Sequence, residues 1–381
     1  MSRIENQRRL FLELVELLRP HWHRDPGQPQ RLADWLARHR AGSRDRRLYR
    51  ELTYTLWRIL PWVEDASPDT LVARVAQHAQ RSKATADFID AYAMEAAGMA
   101  SPTASLLPPW IDEELACDSR VESSLLSRAP LWIRQQSGDA TAVKRDFPQA
   151  EPSRHIDNAW RLPMDTRVFD TPGYRNGVIE IQDIGSQALL HCLPELPAGR
   201  WLDACAGAGG KTLQLAQLLS YRPDSEIVAH DVRPAALREL EQRRKRAGMT
   251  SISTTLEPTG SFDVVLVDAP CTGSGTWRRA PHLKWTTNPN SIRRAAEKQS
   301  LLLDRFSQRV KPGGWLVYLT CSLCRSENES VRTDFLTRHP AFQPLPINHP
   351  RTQAVVEDGY LTLNPWELDS DGYFVAAMRR I

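Results

Sequence analysis

The sequence predicts an α/β protein whose C-terminal half is built on a parallel sheet, behind an all-helical N-terminal part. Three observations carry this. From residue 200 on, apolar strand-like runs alternate with helix-period segments, the pattern of a parallel sheet with crossover helices. Residues 1–60 instead repeat their apolar residues at helical spacing. Between the two lies SPTASLLPPW (101–110), whose three prolines break the helical pattern.

Taken in order, residues 4–18 place Ile4, Phe11, Leu14, Val15 and Leu18 on one helical face, and residues 44–60 place Leu48, Tyr49, Leu52, Leu56 and Ile59 on another. Ser67-Pro68-Asp69 reads as a helix start, a cap residue followed by proline in the first turn. PLWIRQQ (130–136) reads as a strand in a turn-rich stretch, and IQDIGSQALLHCL (181–193) as a turn leading into a helix. The runs RWLDACA (200–206), EIVAHDV (226–232), FDVVLVDAP (262–270) and GWLVYLTCS (314–322) read as strands, with helices at 211–221, 234–247 and 291–310. The expected parts are a helical domain over 1–115, a small α/β connector over 116–195 and the sheet domain over 196–381.

Composition narrows the class. Of 381 residues, 41% are apolar and 25% charged, which excludes a disordered chain. No apolar run approaches the ~18 residues of a membrane helix, and the charged N-terminus reads as an amphipathic helix, not a signal peptide. Six irregularly spaced cysteines make no disulfide framework and suit a reducing cytoplasm. Net charge is only +3, but residues 1–60 hold 13 arginines against 7 acids, a concentration that suits phosphate contact.

Ligands of parallel sheets bind at the carboxyl ends of the strands, and each of these runs ends in reactive chemistry. DACAGAGGKT (203–212) is a glycine loop entering a helix, where backbone N–H groups can meet a carboxylate or phosphate. It is not a phosphate-binding P-loop, because Cys205 stands where that pattern needs its first glycine. Asp231 follows a strand about twenty residues later, as an acceptor for a ribose diol would. DAPCTGSG (268–275) sets Asp268 and Cys271 at the next strand end, and TCSLCRSENE (320–329) sets Cys321 at another. Cys321 and Cys324 form a lone CxxC without a second ligand pair, so no metal site is expected. Two separate thiols at one sheet edge fit nucleophilic chemistry.

With QDIGSQ (182–187), DACAGAGGKT, HDV (230–232), DAPCTGSGTWRRAPHLKW (268–285), the late TCS with ENE, and DGYFVAAM (371–378), the sequence resembles the RsmB/Sun family of S-adenosylmethionine-dependent RNA cytosine-5 methyltransferases. GSRDRRLYRELTYTLWR (42–58) resembles the NusB-like RNA-binding domain of its bacterial members. The resemblance implies a Rossmann-like class I methyltransferase domain preceded by an all-α NusB-like domain and the connector. It implies that Cys205, Ala206, Gly207, Ala208, Gly209, Gly210 and Lys211 hold the methionine part of the cofactor and that Asp231 binds its ribose. Asp268 would lie between cofactor and base, Cys321 would attack C6 of the cytosine, and Cys271 would assist release. The loop departs from the family's CAAPGGKT at Gly207 and Ala208 but keeps Gly209, Gly210 and Lys211. Glu257 is the one candidate for an acid near the adenine.

The attacking thiol must be ionised, and Arg278, Arg279, Lys284 and Arg325 are candidate sources of the positive charge that would favour this. Basic clusters at Arg44, Arg46, Arg47 and Arg50 and at Arg278, Arg279, Arg293 and Arg294 suit RNA, whereas Arg243 to Arg246 read as a solvated helix face. Trp277 and Trp285 could stack bases or pack a core. The expected protein is a cytoplasmic monomer acting on ribosomal RNA, with neither DNA nor membrane as partner. A tRNA substrate, a ribosome assembly factor with a degenerate site and a small-molecule methyltransferase are the competing readings.

Overall fold

The computed structural model describes residues 1–115, 119–138 and 140–381. The chain forms two compact units: residues 1–128 with 276–288, and residues 129–275 with 289–381. The boundary expected at 115/116 falls at residues 116–118, outside the described residues. No helix among the described residues is long and apolar enough to cross a membrane.

The first unit is helical. Its helices Arg3–Leu18, Gln28–Arg38, Ser43–Arg58, Pro68–His78 and Ala86–Tyr92 pack a core of Phe11, Leu14, Leu48, Leu52, Trp57 and Phe88. Ser2 and Glu5 form a reciprocal capping box on the first helix, and Ser67 accepts from Thr70 N as the Ser67-Pro68 signal predicts. The segment 276–288 completes this unit. The last carbonyls of Ser43–Arg58 have no helical partner, and here Trp285 Nε1 donates to Trp57 O at 2.6 Å and Lys284 Nζ to Arg58 O at 3.1 Å. Lys284 is 1% exposed, and burial with the Arg58 charge pulls its pKa down to about 7. Arg278 is also buried and donates to Ser127 Oγ at 3.0 Å. The expectation that Arg278 and Lys284 face RNA or a thiol is therefore corrected: both are interior groups of the helical unit. Trp277 is buried as well, so the core-packing reading of these tryptophans holds. Arg44, Arg46, Arg47 and Arg50 are exposed, as are Arg279, Arg293 and Arg294.

The second unit holds the sheet. Its strands are β1 (Arg200–Asp203), β2 (Glu226–His230), β3 (Ile252–Thr255), β4 (Phe262–Asp268), β5 (Val310–Thr320), β6 (Phe342–Pro344), β7 (Tyr360–Leu363) and β8 (Tyr373–Arg380). Their order is β6-β8-β5-β4-β1-β2-β3, with β7 on β8. Strands β1 to β5 run parallel; β6, β7 and β8 pair antiparallel. Alternate residues feed two apolar layers: Trp201, Ile227, Val264, Leu266 and Val317 on one face, Leu202, Val228, Val265, Val267 and Tyr318 on the other. This period of two, buried on both sides, explains why these strands read as continuous apolar runs.

A smaller antiparallel sheet precedes it, formed by Leu131–Gln135, Glu151–Pro152, Ala159–Leu162 and Ile179–Ile181. QDIGSQ joins it to the main domain. Asp183 caps the helix Ile184–His191, accepting from Gly185 N. Gln182 accepts from buried Arg134 at 2.7 Å and donates to Gln214 at 2.8 Å, and Gln214 donates to Gln187 O. Arg243 and Arg246 both pair with Glu180, which is 2% exposed. That cluster is a buried clamp, which corrects the solvated-face reading at these two positions.

Gly275 sits where the loop after β4 meets the loops after β5 and before β8. A Cβ there would lie 2.1 Å from Gly372 O and 2.8 Å from Cys321 O, both backbone atoms that cannot turn aside. Gly275→Ala is therefore expected to cost about 3 kcal/mol in chemical denaturation, at the top of the usual overpacking range. Gly98→Ala, whose added carbon meets nothing within 4 Å, should change stability little.

Candidate active site

Strand order reverses between β1 and its two neighbours β2 and β4, so the loops at their carboxyl ends diverge and open a crevice. The structure brings Cys205–Lys211, Asp231, Asp268, Cys271 and Cys321 to this one edge.

The glycine loop leaves β1 after Asp203 and enters the helix Gly210–Leu218. Gly207 and Gly209 take positive φ of 54° and 88°. At Gly209 a Cβ would also strike Leu240 Cγ at 2.6 Å, so only glycine fits this turn. Beside Gly210 there is open space within 4 Å, at the first turn of the helix. Asp203, which sequence reasoning left as a mere strand end, lies beneath the loop and is 1% exposed. Thr212 Oγ1 donates to its Oδ2 at 2.6 Å, while Oδ1 is buried without a hydrogen bond of normal geometry. Burial pushes its pKa up to about 6, the Thr212 bond only partly offsetting this.

Asp231 is buried beside the loop. Oδ2 accepts from Gly207 N at 2.9 Å, and Arg233 covers both oxygens with its exposed guanidinium and its backbone N–H. Burial pushes the Asp231 pKa up, but these donors outweigh it and the net shift is downward. Glu257 is exposed, and only its backbone is held, by Thr255.

Lys211 Nζ donates to Asp268 Oδ2 at 2.8 Å. Burial pulls the Lys211 pKa down, but Asp268 and the nearby Cys321 outweigh it and the net shift is upward. Lys211 is thus a cation that interacts with Cys321; of the arginines and lysine expected in that role, Arg278 and Lys284 lie inside the helical unit.

The two thiols are neighbours, with Cys271 Sγ 3.3 Å from Cys321 Sγ. The bond to Cys321, burial, and the charges of Cys321 and Glu327 all push the Cys271 pKa up. Cys324 is buried and bonded to Ser274 Oγ, so the CxxC is no ligand pair, and no group of three or more metal-ligating side chains exists among the described residues. Burial pushes the Cys205 thiol up to about 12.

The 16S rRNA methyltransferase RsmB/F family matches residues 191–379. Residues 191–379 belong to that family. The chain is 31% identical over 307 residues to the probable ribosomal RNA small subunit methyltransferase B of Bacillus subtilis, covering 77% of this chain and 65% of that protein. A methyltransferase homolog protein from Pyrococcus horikoshii, 28% identical, has a similar structure with TM-score 0.58, covering 69% of this chain and 90% of its own. The structure of PH0851 covers the whole of both chains with TM-score 0.73 at 21% identity, a likeness of fold. The chain spans between about half and two thirds of the length of the curated relatives it matches.

The resemblance implies S-adenosylmethionine as the cofactor, and the residues present suit it. The glycine cradle, the open first helical turn, the buried Asp203 carboxyl and the carboxylate after β2 provide close backbone approach, donors and acceptors.

A carboxyl group whose pKa is higher in the folded than in the unfolded state stabilises the fold at low pH. For Asp203, about 6 against ~3.9 unfolded, that contribution is complete below pH ~4 and lost as pH rises through about 6. Above this the buried charge costs roughly 3 kcal/mol. Asp203→Asn should therefore be more stable than the parent at pH 7.5, with the gap closing towards pH 4 in denaturation curves. A gap independent of pH would contradict the assignment.

Proposed function

We propose that the chain methylates C5 of a cytosine in RNA, most simply small-subunit ribosomal RNA, with Cys321 as nucleophile. The observation that carries this is the 3.3 Å thiol pair at the carboxyl edge of the sheet, with the Lys211–Asp268 ion pair beside it. The names of the curated relatives support the RNA class.

Bound S-adenosylmethionine supplies an electrophilic methyl group. Cys205–Lys211 and Asp231 hold it, and Arg233 must swing away from Asp231 to free an acceptor for the ribose. C5 of cytosine is a weak nucleophile. Addition of the Cys321 thiolate to C6 forms an S–C bond and moves the C5=C6 electron pair onto C5. This step is nucleophilic attack by an activated cysteine, and Lys211, held by Asp268, interacts with Cys321 there. Asp268 lies at the end of β4, where it can orient the exocyclic amine of the base. Once C5 is methylated, its proton must leave and the Cys321–C6 bond must break to restore the double bond.

Cys271 suits the proton removal. Its pKa is held up largely by Cys321 itself. When Cys321 becomes a thioether that influence ends, Cys271 can release its proton to solvent and then take the one from C5. A paired cytosine must first be unstacked or presented in a loop.

Covalent trapping tests the reading. Cys271→Ala incubated with cellular RNA and S-adenosylmethionine should give an RNA-shifted band on a denaturing gel, and Cys321→Ala none. A shift only with Cys321→Ala reverses the two roles. No shift with either, together with no cofactor binding, favours an assembly factor.

The exposed arginines of the helix Ser43–Arg58 would supply phosphate contacts. Replacing Arg47 and Arg50 by Ala should weaken RNA binding without regard to sequence and lower the salt slope by about 1.5. An unchanged slope places the RNA elsewhere.

A further inference from the structure

Glu327 is buried and gathers four donors, three from the two thiol loops and one from Gln299 on the helix Pro289–Ser307. Its Oε1 accepts from the Thr272 backbone N–H at 2.9 Å and from Gln299 Nε2 at 3.0 Å. Its Oε2 accepts from Thr272 Oγ1 at 2.5 Å and Ser322 Oγ at 2.6 Å. Thr272 follows Cys271 in the chain, and Ser322 follows Cys321. The hydroxyl of Ser322 also lies 2.9 Å from Ser274 Oγ, a second cross-link between the loops. One carboxylate therefore grips the neighbour of each reactive sulfur.

We propose that Glu327 is the positioning residue of the thiol pair: it fixes the spacing between Cys271 and Cys321 and assigns the shared proton to Cys271. This rests on the methyl-transfer reading for its purpose but not for its test. The charge asymmetry follows from what faces the two sulfurs. Cys271 is met by Tyr318 from β5, by Cys321 just past that strand and by Glu327 from the turn Arg325–Glu327, with the Gly273 N–H pulling the other way. Cys321 is met by Lys211, itself paired with Asp268. A negative charge thus acts on Cys271. Placement alone would leave either sulfur free to attack; the Glu327 charge keeps the proton on Cys271 and leaves Cys321 to attack.

Glu327→Gln and Glu327→Ala separate the two parts of the role. The amide can still accept from Thr272 N and Gln299 and donate to a hydroxyl, but carries no charge. The methyl group does neither. Two readouts use the full chain without RNA or cofactor. Diamide removes two electrons and two protons from a close thiol pair, forming the S–S bond while being reduced to its hydrazine, so the rate of the Cys271–Cys321 cross-link, read by peptide mass spectrometry, reports spacing. Iodoacetamide labelling of each cysteine against pH reports where the proton sits.

The Ala variant should cross-link at least tenfold more slowly. The Gln variant should cross-link within about threefold of the parent, while its Cys271 labelling midpoint falls by roughly one pH unit. If both variants keep the parent's rate and labelling profile, the proposal fails. It fails equally if buried Cys192 becomes labelled in step with Cys271, since Glu327 would then be a general brace of the fold. Should Glu327→Ala not fold, Ser322→Ala and Thr272→Val each remove one arm of the grip and should each slow the cross-link. Loss of RNA trapping with the thiol results intact would overturn the methyl-transfer reading and leave the positioning role standing.

Discussion

The contact between Lys211 and Asp268 joins the two halves of the site. Lys211 belongs to the helix that receives the glycine loop, and Asp268 ends the strand that carries the first thiol. A buried ammonium would lose its charge without a partner, and a lone carboxylate at the sheet edge would repel a neighbouring thiolate. Together the two groups satisfy each other, and the ammonium also interacts with Cys321. The glycine loop, the thiol loops and the buried Asp203 are all arranged around this pair.

The remaining polar interior serves placement. The QDIGSQ segment, which carries part of the family resemblance, makes no approach to the thiols. Its glutamines run from Arg134 in the small sheet to Gln214 in the helix behind the glycine loop. Asp183 caps one helix and also faces the backbone of Asp371 before β8. Such a network, in which the Gln182 and Gln214 amides both donate and accept, costs little when satisfied and much when broken, which gives it one preferred geometry.

The sheet was legible because its strands are buried on both faces, and the loops because their residue types are chemically costly elsewhere. Cys271, Cys321, Asp268 and the glycine loop all stand where strand ends put them. Charge was less legible. Arg278 and Lys284 read as surface cations because burial of such groups is rare, yet helix-end carbonyls and Ser127 give them interior partners. Arg243 and Arg246 were obscured for the same reason by Glu180, sixty residues away in the chain. Glu327 carried a signal, the ENE behind TCS, but pairing it with Thr272 needs the crossing of two loops that are far apart in sequence. Asp203 looked like any strand end because nothing in a sequence reports the burial of a carboxyl.

The chain crosses between the two units three times, after residues 128, 275 and 288. The helical unit therefore lacks the partners of Trp57 and Arg58 until residues 284 and 285 have been made. On a translating ribosome some 160 residues separate the end of its N-terminal part from the close of the missing piece, on the order of ten seconds or more of synthesis. During that interval an N-terminal half with an open helix end must persist while the sheet begins to assemble. A nascent chain of this topology cannot finish its first unit first, and exposure to chaperones during synthesis is set by the position of thirteen residues, 276–288.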